Sequence, residues 1–294
     1  MQPAARLMPI IAVLAGVGML SLMDAYMKSA ALAVGAYSAA LLRVMIGSVM
    51  AAPIWLATRP RWPGREVMRW HLLRGGLSSF MGLTFFFALT RMPIAEAIAI
   101  SFIAPLIALY LAAVLLGEAI RPTAIVGSLL GFAGTLAIVG GQFGNSAMDG
   151  DYAVGLAAIL VSAVLYAINF IIIRKQSQAA RPAEIATFHS GVQVVVLGLA
   201  APWFFVMPGL PVFTDTAMAA GLTVIAAMLL GWAYARAETQ ELVPLEYSGF
   251  LWAALFGWLF FAEQVTLPTI LGTSLIVTGC LIATRRGRPE QTAL

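Results

Sequence analysis

Apolar runs of about twenty residues follow one another along nearly the whole chain, and this feature narrows the possible folds more than any other. Wound into a helix rising about 1.5 Å per residue, such a run crosses the roughly 30 Å hydrocarbon core of a bilayer. Reading between charges, prolines and glycines gives ten spans, at 8–27, 34–56, 71–91, 93–116, 122–141, 153–173, 183–206, 215–235, 242–262 and 266–284. With 61% hydrophobic and 10% charged residues, 294 residues lack the polar surface to clothe a water-soluble globule. A membrane β-barrel would instead alternate apolar and polar residues in strands of about ten. The chain therefore reads as an all-α, multi-pass integral membrane protein with no separate soluble domain.

The first span admits a second reading, because Arg6, an apolar run and the small-x-small stretch Ala31-Leu32-Ala33 also fit a cleavable signal peptide. Removing it leaves nine spans and spoils the repeat described below, so it is read as a membrane helix. With the N-terminus placed in the cytoplasm, fourteen of the seventeen Lys and Arg residues fall inside, Lys28 and Arg91 fall outside, and Arg43 lies within a span. Basic residues are retained on the cytoplasmic side, so this asymmetry predicts both termini inside. The net charge of +4 thus reports topology, and nucleic acid is not expected as a partner. The single cysteine, Cys280, forbids an intrachain disulfide.

"LLGEAIRPTAIVGSLLGFAGT" at 115–135 is nearly restated by "FFAEQVTLPTILGTSLIVTGC" at 260–280. Glu118 aligns with Glu263, Gly127 with Gly272 and Gly134 with Gly279, each 145 residues apart; Lys28 and Lys175 are separated by 147. Two sets of five spans follow, 1–144 and 145–294. Five is odd, so the second set enters the membrane from the opposite side. Inverted-topology repeats of this kind meet near the midplane around a cavity that two near-equivalent arrangements expose to alternate sides.

The stretches "LTRMPIAEAIAISFIAPLIALYLAAVLLGE" (89–118) and "LVPLEYSGFLWAALFGWLFFAE" (242–263), with ten spans in a 5+5 repeat, closely resemble the EamA-type branch of the drug/metabolite transporter superfamily. In overall likeness the chain is most similar to the YddG-type exporters of aromatic amino acids within it. The second half departs from the pattern, with Ala262-Glu263 where Gly-Glu is usual. The resemblance implies export from the bacterial inner membrane, and a central cavity walled by spans 1, 3, 4, 6, 8 and 9. Phe86, Tyr166, Trp232 and Tyr247 are then the aromatic lining, with Met23, Ser79 and Leu83 as helical neighbours. Such a lining suits a flat, amphipathic ligand.

Other residues stand out by position. Pro105 cannot donate to the carbonyl of Ser101, so a kink is expected there, and Ser101 and Phe102 become cavity candidates beside a packing explanation. Glu246 is either a contact for a substrate ammonium or a favourable helix start. Arg43, at membrane depth, is costly unless paired. Asp24 and Glu96 are its possible partners, and a grip on a substrate carboxylate is the alternative. Glu118 and Glu263 each close one helix just before the next begins and are expected to serve the exposed N–H groups of that next helix, a structural role. The glycines of spans 5 and 10 fit close helix packing, within a monomer or across a homodimer.

An intramembrane enzyme needs an activated nucleophile, a metal set or a base with partners, and no H-E-x-x-H, G-x-S-x-G, paired cysteine or nucleotide loop is present. A passive channel is disfavoured because the repeat suits a rocking cavity better than a continuous polar pore. The expectation is a cofactor-free secondary transporter of small molecules embedded in membrane lipid.

Overall fold

The computed structural model describes residues 3–57, 62–116, 122–141, 150–180, 182–234, 236, 242 and 245–284. Among them every regular element is a helix: α1 (Pro3–Ala57), α2 (Arg65–Leu89), α3 (Ile94–Ser101), α4 (Ala104–Leu116), α5 (Pro122–Gly140), α6 (Gly150–Ala179), α7 (Pro182–Gly198), α8 (Ala201–Phe204), α9 (Leu210–Tyr234), α10 (Gly249–Phe261) and α11 (Leu267–Thr284). By length and composition, four helical stretches suffice to cross a membrane: Leu7–Ala57, Arg65–Leu89, Gly150–Ile173 and Leu210–Ala233. The remaining apolar helices are shorter. In lipid a helix satisfies its backbone groups within its own segment, which is why apolar runs and helices coincide so closely.

Two breaks give the fold its shape. Spans 1 and 2 form one continuous helical stretch, α1, interrupted at Gly35, whose φ of 82° and ψ of 150° are open to glycine and strained for other residues. Span 4 divides into α3 and α4 around Phe102 and Ile103, just ahead of Pro105. There the N–H of Leu106 bonds Ile103 O at 3.0 Å rather than reaching back a full helical turn. The carbonyl of Phe102 is left over and accepts the thiol of Cys280 at 3.3 Å.

α1 packs along α9, α2 along α6 and α7, and α5 along α11. The last pair is the tightest. A Cβ added to Gly134 would lie 2.4 Å from Gly272 O, one on Gly272 2.4 Å from Gly134 O, and one on Gly279 2.4 Å from Gly127 O. Gly127 faces Gly279 while Gly134 faces Gly272, so the two helices run antiparallel with backbones touching. Small residues permit such approach where lipid supplies no hydrophobic drive. Outward faces stay apolar, as Leu129, Phe132, Leu251 and Trp258 show.

Candidate functional site

Tyr166, near the middle of α6, lies deep among surrounding atoms and yet keeps 44% of its surface accessible. Asp24, Glu246 and Arg74 all act on it electrostatically, so α1, α2, α6 and the segment before α10 converge here. Phe170 meets the Tyr166 ring edge-on with centroids 4.8 Å apart.

Charged groups cluster near Tyr166. Asp24 and Arg43, on either side of the Gly35 break, sense each other's charge. The Arg43 guanidinium lies over the Phe86 ring, 5.3 Å from its centroid, and its Nε is buried with no hydrogen-bond partner. Arg74 is held in place: Nε donates to Asn169 Oδ1 at 3.2 Å and Nη1 to Gln176 Oε1 at 2.8 Å. His189 on α7 is influenced by both arginines. The Gln193 amide donates to its Nε2 at 3.3 Å, which leaves the ring proton on a buried Nδ1 that has no partner. Across the seam Phe102 and Tyr247 meet edge to face at 5.1 Å. They are 145 residues apart, the spacing of the repeated phrase.

At one end of the bundle a second polar group ties α1, α3, α6 and the link between α10 and α11. Lys28 Nζ donates to Glu263 Oε1 at 2.5 Å and to Met92 O at 2.8 Å, and Glu263 Oε2 accepts the N–H of Ile94 at 2.8 Å. Glu96, 2% exposed, accepts from Tyr152 at 3.1 Å and from Thr269 at 3.3 Å. Glu263 therefore serves a helix start, but that of α3, at Ile94, rather than that of α11, which follows it in sequence. The expected local contact is overridden because tertiary packing brings a buried ammonium and an orphan N–H to the same carboxylate.

The other sequence candidates divide by accessibility. Ser79 is 2% exposed and bonds Gly75 O at 2.9 Å, and Phe86 is 3% exposed in the core, so neither offers free surface to a ligand. Ser101 spends its hydroxyl on Ala97 O of its own helix. Met23, Leu83, Phe102 and Tyr247 are partly buried against the core. Trp232 carries the Arg236 guanidinium 4.4 Å from its ring centroid and lies toward the end of α9. Glu96 is engaged with Tyr152 and Thr269, leaving Asp24 as the acid whose charge reaches Arg43. Glu118 lies outside the described residues. His71 is tied to α6 and α7: Gln176 Nε2 donates to Nδ1 at 2.8 Å, and Nε2 faces Glu184 Oε1 at 3.0 Å. The charges of Asp24 and Arg74 both reach Tyr166, a grouping that the sequence reading did not make. Asp24 is a single acid in an apolar run, and that rarity was the available signal; Arg74 follows Arg65, Glu66 and Arg69 and carried no such mark. Among the described residues no His, Cys, Asp and Glu group is arranged to hold a metal ion.

The model of the EamA-like transporter family matches the chain twice, over residues 7–140 and 153–285. The chain belongs to this family. It is a transporter rather than an enzyme, and a multi-pass protein of the bacterial inner membrane. Similar proteins include the pseudopaline exporter CntI of Pseudomonas aeruginosa, 28% identical over 90% of this chain and 92% of that one. The aromatic amino acid exporter YddG of Ancylobacter novellus is 30% identical over 42% of this chain and 44% of its own length. A riboflavin transporter of Rhizobium johnstonii is 28% identical over 78% of this chain and 72% of its own. A crystal structure superposes with a TM-score of 0.62 at 23% identity, covering 97% of both chains, a likeness of fold.

Proposed function

We propose that the protein exports aromatic amino acids and related small amphipathic metabolites by alternating access, through a hollow shared by two inverted five-helix repeats, residues 1–144 and 145–294, with both termini cytoplasmic. The observation that carries this reading is Tyr166, deep and yet 44% accessible, with an acid reaching it from each half and Arg74 from the first. Inversion is supported by the antiparallel glycine contacts. Shifting Gly127 and Gly134 by 145 residues gives Gly272 and Gly279, and the Gly134–Gly272 contact becomes the Gly279–Gly127 contact, as a two-fold axis requires. The twofold family match points the same way.

In this reading the substrate enters from the cytoplasm and lies against Tyr166 and Tyr247, with Glu246 among the acids of the wall. Differential affinity then shifts the balance between inward-open and outward-open states. No nucleotide loop is present, so export either draws on a gradient or is simply facilitated. Protein in liposomes, given labelled Phe, Trp, Thr and a dicationic dye with and without a pH gradient, tests the reading. Movement of Phe and Trp is the expected result, and indifference to all four refutes it. A second reading, a different metabolite, draws on the relatives that match most of the chain, named for pseudopaline and riboflavin.

A further inference from the structure

Two buried side chains near Tyr166 carry opposite charges and form no hydrogen bond among the described residues. Asp24 is 8% exposed, sits on the first part of α1 and accepts no hydrogen bond among the described residues. Arg43, on the second part beyond Gly35, makes none either, and its Nε is fully buried. Each feels the other's charge. Even so they do not close into an ion pair: those among the described residues are Lys28–Glu263, His71–Glu184 and Arg91–Asp151.

This is an expensive arrangement for mere architecture. A buried pair offsets its desolvation only by touching and by filling its remaining donors and acceptors. The chain builds such a contact elsewhere, at Lys28–Glu263, where nitrogen and oxygen are 2.5 Å apart and each has a second partner. Asp24 and Arg43 lack both features.

We propose that Asp24 and Arg43 form a split clamp for a zwitterion, Arg43 receiving the carboxylate in its guanidinium fork and Asp24 the ammonium. The proposal rests on the carrier reading above and narrows it to α-amino acids and compounds that keep both charges. The surroundings agree. Phe86 backs the guanidinium and holds its plane, while His189 Nδ1 adds an unspent donor near Arg43. The accessible ring of Tyr166 lies within the field of Asp24, where an apolar or aromatic substituent finds a surface. A ligand lacking either charge leaves a buried ion unmet, which is how a polar site rejects a close analogue.

The test compares phenylalanine with phenylalaninamide, which lacks the carboxylate, and 3-phenylpropionate, which lacks the ammonium. Ligand affinity is read in purified wild-type protein from the shift in unfolding temperature, and transport in liposomes. Phenylalanine is expected to bind about ten- to a hundredfold more tightly than either analogue, the scale of one charge-assisted hydrogen bond set. Arg43→Gln should remove the preference over the amide and leave that over 3-phenylpropionate, while Asp24→Asn should do the reverse. If Arg43→Gln fails to fold, Arg43→Lys should keep a weakened preference for the carboxylate. Equal loss of affinity for phenylalanine and its amide in Arg43→Gln, or wild-type protein blind to every zwitterion, overturns the clamp. In the latter case movement of the dicationic dye leaves the carrier reading standing, and absence of all movement removes that reading too.

Discussion

Glu263→Gln takes one charge out of the polar group that joins α1, α3 and the α10–α11 link. The carboxylate has two duties, Lys28 Nζ at 2.5 Å on one oxygen and the Ile94 N–H at 2.8 Å on the other. A carboxamide has one accepting oxygen, and its NH2 would face a donor. The side chains of Lys28 and Glu263 are only 8% and 14% exposed, so little water comes to the rescue. Leaving a buried charge without its partner costs about 3–5 kcal/mol. The residual exposure, and the Met92 carbonyl that stays on Lys28, place this case near 3 kcal/mol, or roughly 5–10 °C of thermal midpoint for a chain this large. Cys280, the single cysteine and fully buried, reports the transition without labelling of any other site. A thiol-reactive fluorophore should light up that much earlier in Glu263→Gln than in wild type. Lys28→Met with Glu263→Leu removes both charges and should regain most of the loss. An unchanged midpoint in the single variant, or a double variant as fragile as the single, would refute the reasoning.

Three further outcomes use the same thermal readout. Ala262 ends α10 in the left-handed region, φ 54° and ψ 28°, where an L side chain costs about 1–2 kcal/mol, so Ala262→Gly should stabilise by about 0.5–1 kcal/mol after the extra freedom of glycine in the unfolded chain is counted; a lower midpoint counts against it. Gly134→Ala drives a methyl into the Gly272 carbonyl and should cost about 3 kcal/mol, whereas Gly140→Ala, with nothing within 4 Å, should cost little; equal effects contradict the backbone contact. Gly35→Ala also meets no atom within 4 Å, so a loss of about 1–3 kcal/mol there would come from the backbone alone, and an unaffected midpoint would show that the break tolerates a side chain.

Much of the architecture was legible because lipid leaves a chain few choices. Runs of apolar residues had to become helices, and Pro105 had to disturb its own, with the break falling at Phe102 and Ile103 where the missing N–H predicts it. The departure of Ala262 from the usual glycine was visible in the sequence, and its left-handed backbone now explains why glycine is the natural choice. The site was legible only in part. In a membrane bundle both the lipid face and the core face of a helix are apolar, so periodicity could not tell an accessible Tyr166 from a sealed Phe86. Partners distant in sequence were hidden as well. Glu263 was expected to act on its neighbour and instead reaches Lys28, 235 positions away. Arg74 counted as one more cytoplasmic charge, although Asn169 and Gln176 hold it inside the bundle.

Along α5 and α11 the carbonyl oxygens of Gly134 and Gly272 each occupy the room a side chain would otherwise need. No lipid tail or water enters a joint that thin, and a slip by one helical turn would bring bulky neighbours against bare backbone. The two helices are therefore held like the binding of a book, and in the proposed alternating-access cycle any opening falls to the free edges.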